Sequence, residues 1–419
     1  LVYHYEKLIA YAGYLEHNCI ALARLIELEE PDLIWIFNPL KIGPLGIIDT
    51  ALCSSAKVLI HLEDHLDLEI KEAAQQLPEI GDELLKKWKS LKGKVHAVAC
   101  SKGTLRNNSL VGEYKAASVI QNWHGLSLLQ KDSLKKIKPE NTSEPLRHPG
   151  LFKIVHFGAL CKEKGSDLVL KLAKRISQQP EFNNITIDLY GSGDKFFIQD
   201  VVENITSQSP LAKVLTYRGF TSKPELLNQL SNYDLAILPL REDEPFAFSV
   251  LDAMSCGVAV IVGAQSGVAE FLEDQYDVIF MKDRNSVDDL WEQVQWCYQN
   301  PEALKEIRTH AFESLSNKFD LDRVIVPKLN EIIENIDIQP RHSFDSVLNF
   351  LDEFRYPPKD KPSPALQEAQ TIIEAMKSSK FWKLRRLWFK VKSAVGYGLE
   401  NAEIDLTNTE IDVRNTDID

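Results

Sequence analysis

Residues 234–257 read DLAILPLREDEPFAFSVLDAMSCG, and the order of their patterns decides the fold. A short apolar run, Leu235 to Leu240, reads as a buried strand; Arg241 to Pro245 is a polar loop; a helix is expected from about Ala247, with Glu244 before it and Asp252 inside it. A buried strand passed by a short loop into a helix is the repeating piece of a parallel α/β sheet.

Outward from this segment the alternation recurs. Strands are expected at Leu33–Phe37, Val58–Leu62, Val95–Ala99 and Ser118–Gln121, then at Lys153–Phe157, Ile185–Tyr190, Val214–Tyr217, Val258–Val262 and Val278–Phe280. Helical patterns at Val287–Gln299, Pro301–Ser316 and Leu321–Ile336 close the second set. The fold class is therefore α/β, with two doubly wound Rossmann-like domains at 1–126 and 151–338. A connector at 127–150, rich in Lys, Ser, Pro and Asn, joins them, and 339–419 forms a C-terminal extension. Tandem domains of this kind leave a ligand cleft at the carboxyl ends of their strands. The chain begins at Leu1 on a helical pattern, Tyr3 to Leu28, so the first domain is expected to lack its opening portion.

With Lys plus Arg at 48 and Asp plus Glu at 61, the formal charge of −13 excludes the global basic footprint of a nucleic-acid binder. The six cysteines follow no CxxC or His/Cys spacing, which argues against a zinc site or disulfide framework and for a reducing compartment. There is neither a signal peptide nor an apolar run of spanning length, so a cytoplasmic protein is expected.

The chemistry is expected at the start of the helix after Leu240. Amides around Phe246, Ala247 and Phe248 present unpaired N–H groups and a positive partial charge, suited to a diphosphate. Glu244 is placed for sugar hydroxyls and Asp252 for a ribose diol, about 12 Å apart if every intervening residue were helical. The alternative is an acidic helix start, common because carboxylates favour that end. In IVHFGALCKEKGSD (154–167) a strand enters a glycine turn at Gly158 and Lys164-Gly165 opens a helix, where the lysine reaches a phosphate or simply lies exposed on the loop. In DLYGSGD (188–194), Gly191 and Gly193 read as a flexible turn that admits a ligand close to the backbone.

In this order the segments resemble the donor domain of the GT-B glycosyltransferases, specifically the retaining family 4 type, over roughly Asp32 to Ile336 and most closely from Phe152 to Asp274. The resemblance implies transfer of a sugar from a nucleotide-diphosphate sugar to an acceptor hydroxyl, with retention, without metal and without a cofactor. It places the E-x7-E carboxylates on Glu244 and Asp252 and the diphosphate lysine on Lys164. On the acceptor side PDLIWIFNP (31–39) and VIQNWHG (119–125) have family counterparts, and Asn38, Glu63, Asp64 and His65 fall where relatives line the acceptor. His65 has the alternative of capping the next helix. The sequence departs from the family at Asp252 for glutamate, Ala247 for glycine, Glu63 for histidine and Ala159 for the arginine beside the diphosphate, a loss for which Lys162 is one substitute. Neither half carries a D-x-D metal motif at a strand end.

The acceptor class stays open among carbohydrate, lipid-linked and protein acceptors in glycan, polysaccharide or glycolipid synthesis. Two other readings share the architecture: a non-catalytic nucleotide-sugar-binding subunit, and another GT-B enzyme such as a nucleotide-sugar epimerase. In the extension, 377–392 (KSSKFWKLRRLWFKVK) interleaves seven basic residues with aromatic and aliphatic ones, as an anionic membrane surface or a self-packing helix requires, and 403–419 is an acidic repeat expected to be disordered.

Overall fold

The computed structural model describes residues 13–76, 81–124, 150–193, 195–207, 209–241, 243–338, 340–344 and 347. The basic segment 377–392, the acidic repeat 403–419 and nearly all of the 127–150 connector lie outside them. The chain divides into two units, Leu1–Phe354 and Arg355–Asp419, and the second is wholly outside the described residues.

Two parallel sheets build the first unit. β1 (Leu33–Phe37), β2 (Lys57–Leu62), β3 (His96–Ala99) and β4 (Ala116–Val119) lie in the order 1-2-3-4. β5 (Phe152–Leu160), β6 (Ile185–Gly193), β7 (Leu215–Gly219), β8 (Leu235–Leu238), β9 (Ala259–Gly263) and β10 (Ile279–Met281) form the second, ordered 10-9-8-5-6-7. The reversal of direction between β5 and β8 is the switch point at which such sheets bind ligands.

The near-continuous apolar strands follow from burial on both faces. In the second sheet Ile154, Ile187, Ile237 and Ile261 pack under the Ser166–Ser177 and Val287–Gln299 helices, while Val155, Ala236, Leu238 and Val260 pack under Phe248–Ser255 and Pro301–Lys318. In the first, Ile36, Ile60 and Ala97 face one core. The opposite face, Leu59, Val98 and Ile120, is covered by Leu321, Ile325 and Leu329, residues that follow the second sheet in sequence. The chain thus crosses between the domains twice.

Three expectations are corrected. Neither Gly158 nor Gly191–Gly193 is a turn: β5 and β6 stay paired through Gly158↔Gly191 and Leu160↔Gly193. β4 is Ala116–Val119 rather than Ser118–Gln121, because its partner β3 ends at Ala99, opposite Val119, and offers nothing for Gln121 to pair with. The first described helix is Glu16–Glu29, preceded by non-helical Gly13–Leu15, so Tyr3–Leu28 is not one uninterrupted helix.

Candidate functional site

At the carboxyl edge of the second sheet the main chain is packed too tightly for side chains. A Cβ on Gly191 (φ +140°) would lie 1.9 Å from Gly158 O, and one on Gly193 would lie 2.2 Å from Leu160 O. A Cβ on Gly165 would lie 2.5 Å from Pro239 Cβ, and one on Gly263 would lie 2.4 Å from Pro239 O, so both glycines sit close against Pro239. These contacts wedge the loop after β8, whose ends, Leu240 and Ala247, both hold positive φ (48° and 67°). For a non-glycine residue that conformation is strained.

Side chains complete the fixing. Arg241 Nη1 donates to both Asp167 carboxylate oxygens (2.9 and 2.8 Å), and its backbone N–H donates to Glu163 O (2.9 Å). The β8 loop is thereby tied to the Lys164 turn, and Lys164 Nζ pairs with Glu244 Oε2. From behind, Gly267 N–H donates to Glu244 O (2.8 Å), and Phe246 is buried against Phe248, Phe271 and Phe319. Phe246 therefore anchors the loop, while Phe248 is exposed beside it. The helix begins at Phe248 and includes only Asp252, so the all-helical separation of the two carboxylates does not apply.

His156 on β5 braces the same turn. Its Nδ1 lies 2.7 Å from Ile237 O and its Nε2 2.8 Å from Ser166 Oγ, contacts that suit a neutral ring with the proton on Nδ1. Burial drives its pKa down to about 4, so it stays neutral while it locks β5, β8 and the helix opened by Lys164-Gly165 together.

Asp252 is largely buried, and both oxygens are engaged: Oδ1 lies 3.4 Å from His124 Nε2 and Oδ2 2.8 Å from Lys223 Nζ. Burial works to raise its pKa, but His124 and Lys223 outweigh it and hold the carboxyl below the usual range. His124 is the last described residue before the connector. Its N–H donates to Phe319 O (3.1 Å), and Gln121 Nε2 donates to Lys318 O (2.7 Å).

The residues expected to line an acceptor are held by a polar web. Asn38, at φ 43°, donates to Asp64 Oδ2 (2.8 Å), and Asn122 donates to Glu63 Oε2 (2.6 Å). His61 Nε2 lies 3.0 Å from Glu63 Oε1 without hydrogen-bond alignment, its ring packed against Trp35 and Phe37. The 64–67 turn rests on a buried cluster. Lys92 Nζ contacts both Asp67 oxygens and donates to Asn108 O, Trp88 Nε1 donates to Asp67, and Asn108 Nδ2 donates to Asp64 O.

The two sides meet. His65 Nε2 lies 2.9 Å from Asp243 O, with Nδ1 facing Asn107 Nδ2 at 3.4 Å, so an Nε2–H tautomer satisfies both. His65 caps no helix with its ring; it reaches the loop that carries Glu244. Thr104 Oγ1 and Cys100 Sγ point to Pro245 O (3.4 Å each), and Glu270 takes the amides of Lys102 and Gly103 (2.7 and 2.9 Å).

Lys164, Glu244, Phe248 and Asp252 are thus collected along one sheet edge. Asn38, Glu63, Asp64 and His65 are gathered at the ends of β1 and β2. Sequence reasoning missed Arg241, His156, His124, Lys223, Asn122 and Glu270. Of these Arg241, His156, Asn122 and His124 lie inside stretches the sequence had singled out, while Lys223 and Glu270 carried no positional signal. Ala159 stands opposite Ser192 at the β5 end, and Lys162 is exposed with no ion pair among the described residues. No group of three potential metal ligands occurs among the described residues, nor any helix long and apolar enough to cross a membrane.

Residues 138–314 match the family model of Glycosyl transferases group 1. Three solved structures resemble this fold over about three quarters of the chain. Anabaena HepE in complex with UDP is 18% identical, with a TM-score of 0.56 over 75% of this chain and 81% of that one. A glycosyltransferase from Rickettsia africae is 17% identical, TM-score 0.56, over 76% and 80%. Sucrose-phosphate synthase from Thermosynechococcus elongatus is 15% identical, TM-score 0.55, over 75% and 76%. A comparison with curated protein sequences finds no match. The fold is GT-B, and the second domain carries the sequence signature of group 1 glycosyl transferases.

Proposed function

We propose that the chain is a glycosyltransferase of the retaining family 4 type that moves a sugar from a nucleotide-diphosphate donor to an acceptor hydroxyl, without a metal. The observation that carries this reading is the convergence of Lys164, Glu244 and Asp252 along the edge led by the Phe248 helix start. Departure of a nucleoside diphosphate builds negative charge, which the helix N-terminus and Lys164 are placed to meet. Glu244, released from Lys164, then turns to the sugar hydroxyls and the cationic character of the anomeric carbon, and Asp252 takes the ribose. A donor entering this edge faces Asn38, Glu63, Asp64 and His65, which makes them the acceptor wall. Anabaena HepE has been solved in complex with UDP and with UDP-glucose, so uridine donors are the first to try. Synthesis of a polysaccharide or glycolipid at an anionic membrane surface, reached through 377–392, completes the reading; deletion of 377–419 then abolishes liposome cosedimentation at low salt.

The test is a thermal titration with UDP, GDP, ADP and their sugars, followed by donor turnover. One nucleotide should raise the melting temperature by mass action. Lys164→Ala should abolish that shift and slow sugar release about 100-fold, as removal of a preorganised charge partner does. A well-folded chain that responds to none of them overturns the reading. Ala159 favours one alternative, a subunit that binds nucleotide without turnover; such a chain shows the thermal shift and releases no sugar.

A further inference from the structure

The β5 end poses a charge problem. Where the resemblance calls for an arginine beside the donor diphosphate, the chain has Ala159. Nearby arginines are committed, Arg241 to Asp167, Arg284 to Asp243 and Arg218 to Asp188, and Lys164 is the one cation already assigned to the diphosphate once it leaves Glu244. Lys223 is also paired, with Asp252, but its partner is the carboxylate that a ribose diol would claim.

Resting on the nucleotide-sugar reading above, we propose that Lys223 changes partner when the donor binds, leaving Asp252 for the diphosphate and so supplying the cation that Ala159 does not. The diol needs the outer oxygen of Asp252, because Oδ1 is shared with His124, itself fixed by its backbone bond to Phe319 O. Lys223 Nζ at 2.8 Å from Oδ2 is the group displaced. It is free to go: its side chain is 45% exposed, on the first residue of the Lys223–Leu230 helix, whose Ser222/Glu225 capping box holds the backbone still while the stem swings. It has little distance to cover, since Phe248, at the diphosphate-facing helix start, precedes Asp252 by four residues, a rise of about 6 Å. A flexible four-carbon ammonium suits this move, and a diphosphate offers it more charge than the carboxylate it leaves. Lys162, the nearer candidate in sequence, makes no ion pair among the described residues that would aim it.

The experiment is calorimetry on the full chain with UDP, GDP and ADP, and with uridine, guanosine and adenosine observed by NMR. Lys223→Ala should weaken the preferred diphosphate about tenfold or more while the matching nucleoside stays within about twofold. Lys223→Arg should retain binding, Lys162→Ala should change nothing, and adding Ala159→Arg to Lys223→Ala should restore the diphosphate affinity. Melting temperatures of the free variants check that each is folded. Equal losses for nucleoside and diphosphate, no loss in Lys223→Ala, or a loss that follows Lys162 instead, overturns the exchange. A wild-type chain that binds none of the diphosphates overturns the nucleotide-sugar reading itself, and the exchange with it.

Discussion

On the second sheet the loop after β8 is shaped by close packing around glycines: Gly191 on the Gly158 main chain, Gly193 on that of Leu160, Gly263 on Pro239 O and Gly165 on the Pro239 ring. On the first sheet the corresponding turns are shaped by side chains, with Lys92, Asp67, Trp88 and Asn108 buried together beneath Asp64. The difference teaches how each half fails. A backbone-built edge is broken by a methyl group. A network-built one tolerates small steric changes and is broken by removal of a single charge.

The sharpest challenge to that contrast is Lys92→Met. It leaves Asp67 buried without its cation and should cost about 3–5 kcal/mol in denaturant unfolding; a loss below 1 kcal/mol would show that the network does not hold the first sheet. The matching steric test is Gly191→Ala, expected to cost about 3 kcal/mol, because its Cβ lands on Gly158 O in a backbone conformation that disfavours any side chain. The two variants should also separate in binding: Gly191→Ala abolishes nucleotide response, and a residually folded Lys92→Met retains it.

A third test uses pH. His156 has its folded pKa lowered to about 4 by burial, against 6.5 unfolded, so the unfolded chain binds the extra proton first. Its contribution is complete above pH 6.5 and is lost as pH falls toward 4, on the order of 3 kcal/mol in all. His156→Gln should flatten the stability profile in that window relative to wild type; parallel profiles would show that the ring does not brace the second sheet. The smallest effect is a gain. Ala247→Gly removes the penalty of a side chain at φ 67° and should stabilise by about 1 kcal/mol, seen as a modest rise in melting temperature.

How much of this was legible follows the same division. Lys164-Gly165, the glycines of 191–193 and the Glu244–Asp252 stretch could be found because tight backbone leaves a mark in residue type. Even there GSG was misread as a turn, since a strand that continues through glycines looks the same as one that stops. The helix Val287–Gln299 matched its pattern residue for residue. Lys223, His124 and Asn122 left no such mark. Each acts through a partner distant in sequence, Asp252 or Glu63, and a lone lysine, histidine or asparagine does not announce which carboxylate it will meet.

The second crossing sets terms for anyone who would recombine this molecule. Leu321, Ile325 and Leu329 follow the second sheet in the chain yet roof Leu59, Val98 and Ile120 of the first. A chimera spliced once, in the connector, would import a foreign roof along with its new second half. Exchange of second domains here demands two cuts, near 125 and near 320, and a seam that keeps the Gln121 and His124 bonds to Lys318 and Phe319.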